Sequence, residues 1–162
     1  MDTVDERAVV DLLGVLSYAE LTAFDRLAED ARLAPTLDGR AALAQMAAAE
    51  IDHHCRLTAR LTELGAEPTA AMSPFVPALD AFHESTRPST WLEGLVKAYV
   101  GDGLATDFYR EVAAFLPEPD RTLVDQRTVP RLRRGRGRIP QTGDYTLVTD
   151  FYGNPCCIFR TL

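Results

Sequence analysis

The chain has 162 residues, enough for one ordinary domain with a small appendage. A 46% hydrophobic content can build a core, 25% charged residues keep it in water, and no stretch approaches the roughly 18 unbroken apolar residues of a membrane span. The net charge of −7 hides a division: residues 1–120 hold 21 acidic and 9 basic residues (−12), whereas residues 121–162 hold 3 and 8 (+5).

The acidic start, Met1 to Glu6, lacks a basic stretch followed by an apolar one, so a cleaved secretion signal is not expected and the cytoplasm is the expected compartment. Cys55, Cys156 and Cys157 make an odd count with two adjacent. They form neither a disulfide framework nor a C-x-x-C zinc spacing.

In chain order, a first helix is predicted from about Val4 to Ala31, opened by Thr3 and Glu6 as the T-x-x-E of a capping box. Pro35 to Gly39 makes a short turn, so a second helix, Gly39 to Leu64, should return antiparallel and stop at Gly65. A long proline-bearing connection, Ala66 to Ser89, follows, with a short helix expected at Ala78–His83. Thr90 and Glu93 form a second T-x-x-E and open a third long helix reaching Leu116, which Trp91 should anchor at its start. Pro117-Glu118-Pro119 then turns into a fourth helix begun by Asp120.

Short turn, long crossover, short turn is the connectivity of a ferritin-like bundle rather than of a simple up-down-up-down one. The fourth helix fails early. Pro130 interrupts it, and Arg131 to Arg138 has no apolar face. Beyond Pro140 the pattern becomes strand-like: Asp144 to Thr149, a turn at Tyr152 to Pro155, then Cys156 to Phe159, which predicts a β-hairpin. The expected fold is therefore mainly α, a ferritin-like bundle with a truncated fourth helix. Its expected parts are the bundle at 1–125, an Arg/Gly-rich linker at 126–140 and a hairpin at 141–162.

The apolar stripes carry the chemistry in their gaps. In the first helix Val9, Leu13, Leu16, Ala23 and Leu27 leave a gap filled by Glu20. In the second, Leu43, Met46 and Leu57 enclose Glu50 and His53, an E-x-x-H that puts both groups on one face. In the third, Leu95, Ala98, Ala105, Tyr109, Val112 and Leu116 enclose Asp102. Core carboxylates are expensive unless paired or metal-bound, and three helices presenting them at one level point to a metal site. A faint repeat supports Asp102 over Asp107: Ala19-Glu20-x-x-Ala23-x-Asp25 matches Gly101-Asp102-x-x-Ala105-x-Asp107. His54 is expected beside the site or at the surface and His83 away from it. Cys55 is expected as a small filler, and Tyr18, Tyr99 and Tyr109 as core or supporting groups.

Tyr18-Ala19-Glu20-Leu21-Thr22-Ala23-Phe24, Met46 to His53, and Lys97 to Gly103 through Phe108-Tyr109-Arg110-Glu111 resemble an actinobacterial ferritin-like family related to tRNA hydroxylases acting on 2-methylthio-isopentenyladenosine. The resemblance implies a carboxylate-bridged di-iron centre with Glu20, Glu50, His53 and Asp102 among its ligands, used for oxygen-dependent hydroxylation. The family's second acid-x-x-His on the fourth helix has no counterpart, since no histidine follows His83. A partial or mononuclear iron site with weak or no turnover is the expectation. The tail, Thr142 to Thr161, resembles part of an ASCH domain, a PUA-like barrel with suspected RNA-binding roles. A natural fusion, a shifted reading frame and an artificial chimera would each leave such a junction. The alternative functions are a non-enzymatic bundle binding RNA through the six arginines of 127–138, or a chimera with no function. Expected partners are tRNA or another RNA and a second copy of the chain, not DNA or a membrane.

Overall fold

The computed structural model describes residues 5–125 in full and the backbone of 145–149 and 155–160. Helix α1 is Glu6–Leu33, α2 Leu37–Glu63, α3 Pro68–Met72, α4 Val76–Ser85, α5 Trp91–Ala113 and α6 Asp120–Asp125. Among the described residues the only strands are β1, Tyr145–Thr149, and β2, Pro155–Arg160.

Local chemistry sets most boundaries. Asp5, rather than Thr3, is the N-cap of α1, its carboxylate accepting from the Arg7 N–H at 3.0 Å, so Glu6 opens the first turn. Thr3 itself lies outside the described residues. Pro35 lacks the N–H needed to continue α1. Thr36 caps α2 by accepting from Gly39 N–H at 3.1 Å, so α2 begins two residues before the expected Gly39. At its far end Gly65 N–H bonds the Thr62 carbonyl and Ala66 N–H the Leu61 carbonyl, a Schellman closure that needs the φ of 77° held by Gly65.

The crossover is more helical than its prolines suggest. Pro68, Pro74 and Pro77 each sit in the first turn of α3, a single 3-10 turn at Ser73–Phe75, and α4. There the missing N–H would have no intrahelical partner anyway, so proline starts a helix where it would break one further in. Glu67 adds a cap to α3, accepting from the Thr69 and Ala70 N–H groups, which also holds its carboxyl below the usual range. Thr90 caps α5 through Glu93 N–H at 3.2 Å, and Glu93 accepts from Ser89 N–H at 2.6 Å, a capping box reaching one residue further back than usual. Helix α5 ends at Ala113, three residues short of the expected Leu116, where the Phe115 and Leu116 N–H groups turn to the Val112 and Ala113 carbonyls in tighter i→i−3 bonds.

Helices α1 and α2 run antiparallel, with Ser17 level with His54 and Glu20 level with His53. The crossover lies on α1: a Cβ on Gly14 would stand 2.3 Å from the Ala71 carbonyl oxygen, so only glycine admits α3 at this distance. The Tyr18 hydroxyl donates to Asp80 at 2.7 Å, which ties α4 to α1. The Trp91 Nε1–H donates to the Asp30 carbonyl at 3.1 Å and anchors the start of α5. Helix α6 is held by Arg60, whose Nε donates to Asp120 at 2.6 Å and Nη2 at 3.3 Å. The pair raises the Arg60 pKa through those hydrogen bonds.

No helix among the described residues is long and apolar enough to cross a membrane. Strands β1 and β2 pair antiparallel, Tyr145 opposite Arg160 through Val148 opposite Cys157, with an irregularity before Thr149. The expected turn at Tyr152 to Pro155 falls largely outside the described residues. So do the interruption at Pro130, the Arg/Gly-rich linker at 126–140, and the side chains behind the ASCH resemblance.

Candidate metal centre

The buried apolar residues form two separate clusters. One contains Leu13, Leu16, Leu57, Leu61, Tyr109 and Val124, and the other Leu27, Leu43, Met46, Ala47 and Leu95. Between them along α1 come Ser17, Glu20 and Thr22, and between them along α2 come Glu50 and His53, all buried. Glu20 and His53 are each 1% exposed and Glu50 2%. A polar layer therefore cuts the core at mid-height, at the positions where the sequence stripes have their gaps.

His53 is gripped at both ring nitrogens. Nδ1 lies 2.9 Å from Glu20 Oε1 and Nε2 lies 3.2 Å from the carbonyl oxygen of Leu123 on α6. A carbonyl only accepts, so the network assigns a proton to Nε2. Nδ1 and Oε1 then need one further proton between them, carried by either group, because a bare ring nitrogen facing a bare carboxylate oxygen is no hydrogen bond. The Tyr109 ring is tilted against the imidazole, with centroids 6.1 Å apart.

Glu50 stands one turn before His53 on the same face of α2, as the E-x-x-H spacing requires. Asp102 differs from these three. It is half-buried in the middle stretch of α5, between the buried Leu95 and Tyr109. Asp107 is exposed and paired with Arg110 at 3.2 Å, so the acid of α5 nearer the core is Asp102. Among the described residues, no three carboxylate, imidazole or thiol groups converge to metal-ligand distance. Glu20 and His53 are in direct contact, with Oε1 and Nδ1 2.9 Å apart.

The neighbouring groups sort as follows. His54 is half-buried, with Nδ1 2.8 Å from the Ser17 carbonyl. His83 reaches α1 through Nε2, 3.2 Å from Thr22 Oγ1. The Thr22 hydroxyl donates its one proton to the Ala19 carbonyl at 2.9 Å, so His83 is the donor and carries its proton on Nε2. Burial first, then Lys97 and Arg26, push the His83 pKa down, against an opposing pull from Asp80. Tyr18 has its pKa pushed up to about 12, chiefly by its hydrogen bond to Asp80. Cys55 is exposed and is no core filler: it follows His54 away from the buried face that His53 and Leu57 define.

Two participants escaped the sequence reading. The Leu123 carbonyl, which orients His53, is a backbone group and leaves no trace in residue identity. The Arg60–Asp120 pair, which secures α6 and so places that carbonyl, joins residues 60 apart. Its available signal was an acid on the first helical turn after a proline, and that reads equally as an ordinary helix start.

A family model described as the ferritin-like domain of actinomycetes matches residues 4–130. No curated protein matches the chain.

Proposed function

The chain belongs to the ferritin-like domain family of actinomycetes, and we propose that its polar layer is the retained part of a carboxylate–histidine iron site. The observation carrying this reading is the interruption of the core by Glu20, Glu50 and His53, none more than 2% exposed. Burying ionisable groups across the middle of a small core works against stability, so their presence there points to a purpose other than folding.

The donor set fits iron or a similar divalent ion in kind. It offers hard carboxylate oxygens and one imidazole nitrogen. Glu20 and His53 would release their shared proton and turn Oε1 and Nδ1 to the cation. The Leu123 carbonyl, accepting from Nε2–H, already holds the ring in the tautomer that leaves Nδ1 for this task. Glu50 would add a second carboxylate from the same face of α2, and Asp102 a third from α5, where partial exposure gives a way in from solvent.

Bound iron would supply the redox and Lewis-acid chemistry that oxygen-dependent hydroxylation, for instance of a modified tRNA adenosine, requires. The chain's own contribution would be a dry layer, negative charge and an oriented imidazole. Four ligands suit one cation better than two, and no histidine after His83 supplies the other half. We therefore assign the chain a mononuclear or partial site with weak or absent turnover.

Reconstitution with ferrous iron under nitrogen, followed by metal analysis of the desalted protein, tests this. About one iron per chain is expected, with loss in Glu50→Ala and His53→Ala. Protein that holds no metal, or holds it equally in both variants, refutes the proposal.

A further inference from the structure

Helix α5 is apolar on two faces. Leu95, Tyr109 and Ala113 are buried. Leu92, Val96, Val100, Leu104 and Phe108 form a second row at four-residue spacing, and each is between 42 and 69% exposed. Phe82, 54% exposed, borders this row, its ring 5.7 Å from Lys97 Nζ. Five large apolar side chains in one exposed row, opposite a face that is already buried, call for a cover.

The chain's own basic tract is poorly suited to provide it. Residues 126–140 hold six arginines and two prolines, with Val129, Leu132 and Ile139 as the only large aliphatic residues. The row itself is uncharged; beside it the exposed acids are Glu93, held in the α5 cap, Asp107, paired with Arg110, and Glu111.

We propose that the cover is a second copy of this chain, with α5 packed antiparallel on α5 about a two-fold axis through Val100. The row is symmetric about that residue. Leu92 of one copy meets Phe108 of the other, Val96 meets Leu104, and Val100 meets itself, the self-complementary pattern of an isologous interface. Backbone approach at the centre is open: among the described residues nothing stands within 4 Å of where a Cβ on Gly101 or Gly103 would be.

The area is sufficient. At roughly 200 Å² per fully exposed large side chain, the observed exposures leave about 600 Å² of apolar surface on these six residues. At the roughly 60% apolar share of protein interfaces this corresponds to about 1,000 Å² per partner, against about 800 Å² for a standard interface. This inference is independent of the metal reading, since none of the six is a proposed ligand.

Sedimentation equilibrium of the full chain, between micromolar and 100 μM concentration, should show a dimer. Val100→Arg places two like charges on the axis and should weaken it by at least about a hundredfold, with an unchanged far-UV CD spectrum. Should Val100→Arg misfold, Leu104→Glu at the most exposed site of the row decides in its place. With Cys55, Cys156 and Cys157 changed to Ser, Val100→Cys should oxidise to a covalent dimer, because only the axis brings a residue against its own copy. A monomer at 100 μM overturns the proposal. So does a dimer indifferent to both charge variants, or a monomer that loses stability when residues 126–162 are removed, since its own tail would then be the cover.

Discussion

Replacing both members of the buried Glu20–His53 pair with leucine should stabilise the protein while abolishing metal binding. The two side chains are 1% exposed and 2.9 Å apart, and the apolar clusters on either side contribute Leu16, Leu57 and Leu27. Leucine has similar bulk to either residue. Glu20→Leu with His53→Leu therefore joins the two clusters across the layer without opening a large cavity, a kind of exchange worth about 1–4 kcal/mol in favour of folding. Each single substitution does the opposite. His53→Leu deprives a fully buried carboxyl of its imidazole partner and should cost about 3–5 kcal/mol. In urea, with a slope of about 2 kcal/mol per molar, the double variant should unfold about 1 M higher than the parent and His53→Leu about 2 M lower. Equilibrium unfolding of the four proteins of the double-mutant cycle gives these midpoints directly. If the double variant is as unstable as His53→Leu, the layer is needed for folding, and the argument that it persists for a ligand fails.

Gly14→Ala should lower stability by about 1–3 kcal/mol despite alanine's better helix propensity, because the new Cβ meets the Ala71 carbonyl and α3 must move; thermal melts with near-UV CD would read both effects. His83 has a folded pKa below its ordinary value of about 6.5, so folding favours its neutral form. Its contribution is complete above that value and declines as pH falls through it, with burial, Lys97 and Arg26 disfavouring the charged imidazole and Asp80 favouring it. Melting temperature should accordingly drop between pH 7.5 and 6, and drop less in His83→Gln. An unchanged slope would show that the imidazole's contacts do not differ between folded and unfolded chains.

Sequence alone determined the helical plan and most of the polar layer. Apolar residues repeating every three or four positions can satisfy only one helical face, so an ionisable group in the stripe is carried inward with its neighbours: Glu20, Glu50 and His53 all arrive buried. Caps and stops are equally local, which is why Thr90 with Glu93 and the Gly65 stop were legible. Where two local signals competed, the reading went astray. Asp5 displaced Thr3 as cap, and the crossover prolines began a further helix at Pro68 and a longer one around the expected Ala78–His83.

Only the tertiary structure decided what those groups meet. The pairing of His53 with Glu20, its second hold on the Leu123 carbonyl, and the clamp of Arg60 on Asp120 depend on how α1, α2 and α6 lie together. Asp102, written into its stripe much as Glu20 is into its own, ends half-buried because a helix is covered only as far as its neighbours extend. Along α5 that cover is close near Leu95 and again near Tyr109, and thinner between them. Periodicity specifies which face a residue takes; the depth to which that face is buried is set by elements distant in sequence, and no local pattern encodes it.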